Sequence, residues 1–134
     1  MERLVSVLLK GILIALACQA SACTTSEASP YKVGGLYSVK DGPTRFKIAK
    51  MLAIERGAVH IRLYKNTYPE RPGKVDPSTL SLGSITDKDG FGMGHLPLDP
   101  SGFAAWEPIF LMETTVTPAE LEGYRIYKQS SGSK

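Results

Sequence analysis

The segment from Gly35 to Lys65, GLYSVKDGPTRFKIAKMLAIERGAVHIRLYK, constrains the fold more than any other part of this chain. It holds three short runs of β-forming residues separated by two turn signals. In the last run Val59, Ile61 and Leu63 alternate with His60, Arg62 and Tyr64, the period of two that gives a strand one apolar and one polar face. The middle run, Arg45 to Ile54, puts Phe46, Ile48, Leu52 and Ile54 on one parity, interrupted by Lys50. Lys47, Ala49, Met51 and Ala53 take the other parity, so this strand is expected to be covered in part on both faces. The first run, Gly35 to Lys40, sets Tyr37 and Val39 against Leu36 and Ser38. Asp41-Gly42-Pro43 and Glu55-Arg56-Gly57 break the runs, because Gly tolerates positive φ and Pro cannot donate to a ladder. Such short turns favour antiparallel neighbours, and the simplest expectation is a three-stranded meander whose apolar face the rest of the chain must cover.

The remainder is less regular. Five prolines and five glycines between Asn66 and Pro100 rule out a long helix or a central strand there. Asp76-Pro77 and Asp99-Pro100 read as helix starts, with Asp capping and Pro at the first helical position. The first opens a single turn carrying Leu80; the second carries Phe103 and Trp106 as cover for the sheet. Ile109 to Val116 is a fourth strand. Thr117-Pro118-Ala119-Glu120 has the form of a capping box, with Val116 and Leu121 at the staple positions, and predicts a helix from Pro118. Gly123 costs that helix about 1 kcal/mol relative to Ala, and Tyr124, Ile126 and Lys128 suit a closing strand as well as a helix.

The expected fold is mainly β with short helices: a small antiparallel sheet or SH3-like barrel, with a long irregular loop and a C-terminal helix. The strand-turn-strand-turn-strand opening resembles the SH3-like group over Gly35 to Lys65, with Ile109 to Val116 in addition. Gly35-Leu36-Tyr37-Ser38-Val39 and Val59-His60-Ile61-Arg62-Leu63-Tyr64 also resemble the G-x-Y-x-V and V-H-x-R-x-Y stretches of an uncharacterised group of small bacterial proteins, a likeness that implies no activity.

The N-terminal end reads as an address. Leu4 to Ala17 is almost wholly apolar, with Arg3 before it and Lys10 inside it. It is shorter than the roughly 20 apolar residues of a membrane span but suits the h-region of an export signal. Ala20-Ser21-Ala22 has the A-x-A form of a cleavage site, and Cys23 follows directly. This junction resembles a bacterial lipoprotein precursor. The resemblance implies that the thiol of Cys23 takes a diacylglycerol and becomes the new N-terminus, with Cys18 as the alternative acceptor after Ala15-Leu16-Ala17. The chain then divides into a signal peptide (1–22), a polar tether (23–33), a single small β-rich domain (34–128) and a disordered tail (129–134). The expected location is the bacterial cell envelope, anchored by lipid, with a soluble periplasmic or secreted protein as the alternative.

Both cysteines lie in the address segment, so the domain must be stable without a disulfide, and a zinc or thiol-redox site has no support. The formal charge of +3 drops to +2 once Arg3, Lys10 and Glu2 leave with the signal, too weak for nucleic acid, and no basic stripe is present. No H-E-x-x-H, G-x-S-x-G or Walker-type loop occurs, no metal or cofactor is expected, and catalytic residues are not assigned.

Candidate binding residues are His60, Arg62 and Tyr64 on the polar strand face, with charge added by Lys47 of the neighbouring strand. A face of this kind is either the solvated side of a half-buried sheet or a contact surface for anions or glycans, with Tyr as a flat platform and Arg as a fork of donors. His95 ends Gly90-Phe91-Gly92-Met93-Gly94-His95, read as a bent loop with the ring bonded to a backbone carbonyl, or as a general base beside a close-approach loop. Asp87-Lys88-Asp89-Gly90 is a surface turn that lacks the later acidic ligands of a calcium loop. Trp106 either packs on Phe103 or offers a platform to a sugar or peptide. The functional expectation is a non-enzymatic envelope module that binds a protein or cell-wall partner. Its alternatives are a membrane-tethered immunity or inhibitor protein and, lower, a small envelope enzyme using His60 or His95.

Overall fold

The two turn signals fold as their glycines require. In the computed structural model, which describes residues 29–132, Gly42 and Gly57 sit at φ 76° and 82°, where side chains are disfavoured. They join β1 (Gly35–Asp41), β2 (Arg45–Glu55) and β3 (Ala58–Leu63) into the expected meander. Two further strands, β4 (Met93–Leu98) and β5 (Ile109–Glu113), complete an antiparallel sheet of order β4-β3-β2-β1-β5. The sheet stays open, with β4 and β5 as its edges, so the small-sheet alternative holds and the barrel does not.

Both faces are covered, not one. On the first, Tyr37, Val39, Ala49, Met51, Val59 and Ile61 enclose Phe103, which α1 (Pro100–Ala104) inserts at 0% exposure. Tyr31 and Trp106 flank it, their rings 5.0 Å and 6.2 Å from that of Phe103. On the second face Leu36, Ile48 and Tyr64 lie beneath Tyr68, Val75, Leu80 and Leu82 of the long connection. A single 3₁₀ turn, Pro77–Thr79, places Leu80 there; Asp76 caps it by accepting the Ser78 N–H at 3.0 Å. The irregular loop thus forms half of the core cover.

Four expectations change. First, β4 forms in a stretch read as irregular, although the exclusion of a central strand there stands. It is an edge strand, where Pro97, opposite His60, is tolerated. Second, the capping box forms, with the Thr117 N–H bonded to Glu120 Oε1 at 2.9 Å, but it closes a turn, and α2 runs from Glu122 to Ser131. Third, α2 passes through Tyr124 and Lys128 without a closing strand and takes in Gln129–Ser131, which the tail was expected to include. Fourth, Tyr31, read as part of the tether, packs half-buried against the first-face core. The signal segment, Cys18, Cys23 and most of the tether lie outside the described residues. Among the described residues no helix is long and apolar enough to cross a membrane.

Candidate functional site

The second face of the sheet continues, past Leu36 and Ile48, into a cluster of polar side chains beneath α2. His60 on β3 is wholly buried, at 0% exposure. The β3–β4 register, pairing Val59 with Leu98 and Ile61 with Leu96, turns His60 and His95 toward the same side. Their rings stack 5.1 Å apart, with His60 Nδ1 2.9 Å from His95 Nε2. His60 Nε2 stands 3.2 Å from Glu55 Oε2, at the end of β2. The other oxygen of Glu55 accepts from the Tyr124 hydroxyl at 2.5 Å and pairs with Lys128 Nζ at 2.8 Å, both on α2. Tyr124 and Tyr127 close edge-on over His60, with ring centres at 4.8 Å and 5.1 Å.

The electrostatics follow from these contacts. Hydrogen bonds from Lys128 and Tyr124 hold the Glu55 carboxyl down at about 2, so it is a carboxylate at any ordinary pH. The same carboxylate raises the pKa of Tyr124 and Lys128. Burial, and then the neighbouring His60, push the His95 imidazole below its usual value, which favours its neutral form. Each His therefore spends its Nε2 on an internal partner, and His60 spends Nδ1 as well. Three of the four ring nitrogens of the pair are thus engaged internally, and among the described residues only the Nδ1 of the partly exposed His95 makes no such bond.

Beside it, Lys50 of β2 bonds the Thr115 carbonyl at 2.7 Å and pairs with Glu120 at 3.0 Å. Burial alone would raise the Glu120 pKa, but the Thr117 N–H and Lys50 overcome it and hold the group low. Arg62 is half-buried, 4.0 Å from Glu120 Oε2, and its Nε has no hydrogen-bond partner. Tyr64 is buried, and burial raises its hydroxyl pKa. The expected polar strand face is thus neither a solvated surface nor an open contact platform: α2, Glu120 and the long loop cover it. Lys47 does not join it. It pairs across the ladder with Val39 and so lies on the first face, and Lys50 is the cation beside Arg62. His95 sits in β4, not in a bent loop, and its partner is a ring nitrogen, not a carbonyl.

The glycine approach near His95 is internal too: a Cβ on Gly92 would stand 2.2 Å from the Leu63 carbonyl oxygen. Among the described residues no three His, Cys, Asp or Glu side chains converge as a metal centre. Glu55, Lys50, Glu120, Tyr124 and Lys128 were not singled out from the sequence. Two signals were present: Lys50 interrupting an apolar parity of β2, and the Glu120 capping box, which pointed to a helix start.

Trp106 lies elsewhere, on the first face. It packs against Phe103 and also walls a cleft of about 390 Å³. Its lining combines the apolar Val39 of β1 and Leu63 of β3 with the charged Lys40, Asp41 and Lys47. The Trp106 carbonyl accepts the Lys40 N–H at 2.8 Å, and Glu107 after it adopts φ 52°, a left-handed conformation rare for Glu. That residue and Pro108 turn the chain sharply from α1 into β5 and fix where the indole sits. A second, larger hollow, about 940 Å³, runs between Tyr31, the β2–β3 turn and α1. No family model, curated protein or solved structure matches this chain.

Proposed function

We propose that this protein is an exported envelope protein, anchored through a lipid on Cys23, with Cys18 as the alternative acceptor, and that its domain is a non-enzymatic binding module. The observation that carries the reading is the commitment of His60 and His95 to each other beneath α2. Three of the four ring nitrogens are spent on internal partners, and the open concavity at Trp106 is lined by neither histidine. The leader from Leu4 to Ala17 and the Ala20-Ser21-Ala22-Cys23 junction support export and acylation. The expected partners are the membrane, reached by the N-terminal lipid, and a wall or protein component of the envelope.

Two experiments test this. Metabolic labelling with a palmitate analogue should be lost in Cys23→Ala and kept in Cys18→Ala; label retained in Cys23→Ala would overturn the Cys23 assignment, and a parent protein without label would remove the anchor. Sedimentation with insoluble peptidoglycan should carry down the full chain. A second reading, an immunity-type or inhibitor protein, is favoured by the edge strand β5, where Ile109 and Phe110 are both exposed and the outer ladder is free for a partner strand. It predicts that one soluble partner is captured tightly while wall material is ignored.

A further inference from the structure

We infer that the cleft beside Trp106 binds a single sugar ring carrying one carboxylate, with Lys47 as the group that recognises the charge. This deepens the binding-module reading and rests on it.

The first observation is the position of Lys47. Its parity on β2 is that of Ala49 and Met51, which are core residues, and its cross-strand partner is Val39, also core. An ammonium on the inward face at the end of a sheet is costly unless it meets an anion or reaches water. The other charges of the lining are already matched: Lys40 pairs with Glu107, and Asp41 with Arg45 at 3.6 Å. Among the described residues Lys47 has neither a carboxylate nor a hydrogen-bond partner, so the cleft keeps one uncommitted positive charge. The ligand it complements is a monoanion.

The second observation is the rest of the lining. Val39, Leu63 and Trp106 give apolar surroundings for a ring, and the indole N–H is a donor with no partner among the described residues. A volume near 390 Å³ lies at the lower end of small-ligand sites and suits one ring with its substituents. A peptide backbone is disfavoured by topology. The cleft stands over the ends of β1, β2 and β3, where Val39, Lys40 and Asp41 pair with β2 and the Lys40 N–H is spent on the Trp106 carbonyl, so it offers no long edge for strand addition. Recognition must come from side chains, which suits a ring with a carboxylate.

Trp106 is the only tryptophan of the chain, so its emission reports on this cleft. The test is a fluorescence titration of the full-length protein in detergent with N-acetylmuramic acid and glucuronic acid, against N-acetylglucosamine as the uncharged ring and lactate as the ringless carboxylate. The expected result is a saturable change with the two carboxylated sugars and affinity at least about tenfold weaker for either control. Lys47→Gln, with an unfolding midpoint like that of the parent, should reduce the carboxylated sugars to the level of the uncharged one. Equal affinity for charged and uncharged rings, unchanged affinity in Lys47→Gln, or an unresponsive Trp106 would overturn the assignment. Sedimentation with insoluble peptidoglycan separates the two readings. If parent and Lys47→Gln sediment equally, the protein is still a binding module but the cleft is not its site; if neither sediments and the sugars are silent, both fall.

Discussion

Gly123 of α2 lies directly against His95 of β4: a Cβ built on Gly123 would stand 2.6 Å from the His95 Cβ. The helix comes this close to the sheet because position 123 has no side chain. Replacing Gly123 with Ala sets two effects against each other. Ala favours the isolated helix by about 1 kcal/mol, whereas overpacking against a fixed Cβ costs about 1–3 kcal/mol. Gly123→Ala is therefore expected to keep its helicity but to loosen α2 from the sheet, with faster amide exchange along Glu122–Ser131 and faster cleavage after Arg125 and Lys128. Gly123→Val should exaggerate both.

The attachment of α2 should also depend on pH, in two windows. His95 is held below its ordinary value, so between that value, near 6.5, and its folded one the unfolded chain binds more protons, and stability falls as the pH drops. Glu55 is held at about 2, so the stability drawn from its carboxylate is present above the usual Glu range and is lost as the pH falls through about 2. Facing this pair are Tyr124, Tyr127 and Lys128 from α2 and His60 from β3, and none of them supplies a second carboxylate. Amide exchange followed by NMR from pH 7 to 2 should show α2 losing protection before β1–β3 do. Glu55→Gln should remove the lower step and leave the upper one.

The Lys50–Glu120 pair is nearly sealed, with side chains 6% and 14% exposed. Removing one member leaves a buried charge, so Lys50→Met is expected to cost about 3 kcal/mol, at the low end for such pairs because Arg62 stands nearby. Lys50→Met combined with Glu120→Gln should recover a large part of that loss. Urea unfolding of the four members of the cycle measures the coupling.

Phe103 is the plug that α1 drives into the first face. Phe103→Ala should cost about 3–5 kcal/mol, since the rings of Tyr31, Tyr37 and Trp106 around it are too rigid to collapse into the space and Met51 is the one flexible side chain of that cluster. Chemical unfolding followed by Trp106 emission reads the effect, and a cost below 1 kcal/mol would mean that the first face is not organised around this residue.

Much of the fold was legible where periodicity and turn chemistry agree. The runs around Val59-His60-Ile61 and the breaks at Gly42 and Gly57 place β1, β2 and β3 nearly as they fold, and Asp99-Pro100 marks the helix that carries Phe103. β4 was hidden because Gly94 and Pro97 are strand breakers everywhere except at an edge, and edge status is a tertiary property. α2 was misplaced by one turn because a capping box fixes its own hydrogen bonds without ensuring that a helix follows at once. The polar cluster was not legible at all. His60 and His95 are 35 residues apart and meet only through the β3–β4 register, and Glu55 meets Tyr124 across 69. Lys47 was read on its correct parity but joined to the wrong face, because which parity faces α1 is decided by Val39 on the neighbouring strand.

Residue-resolved chemical-shift mapping of the full-length protein with solubilised envelope glycan tests the reading of the domain most directly. Perturbations grouped at Val39, Lys47, Leu63 and Trp106, with His60, His95 and Tyr124 unmoved, are the predicted result. Shifts centred on the histidine pair and α2 would contradict it, because they would make that cluster the working site.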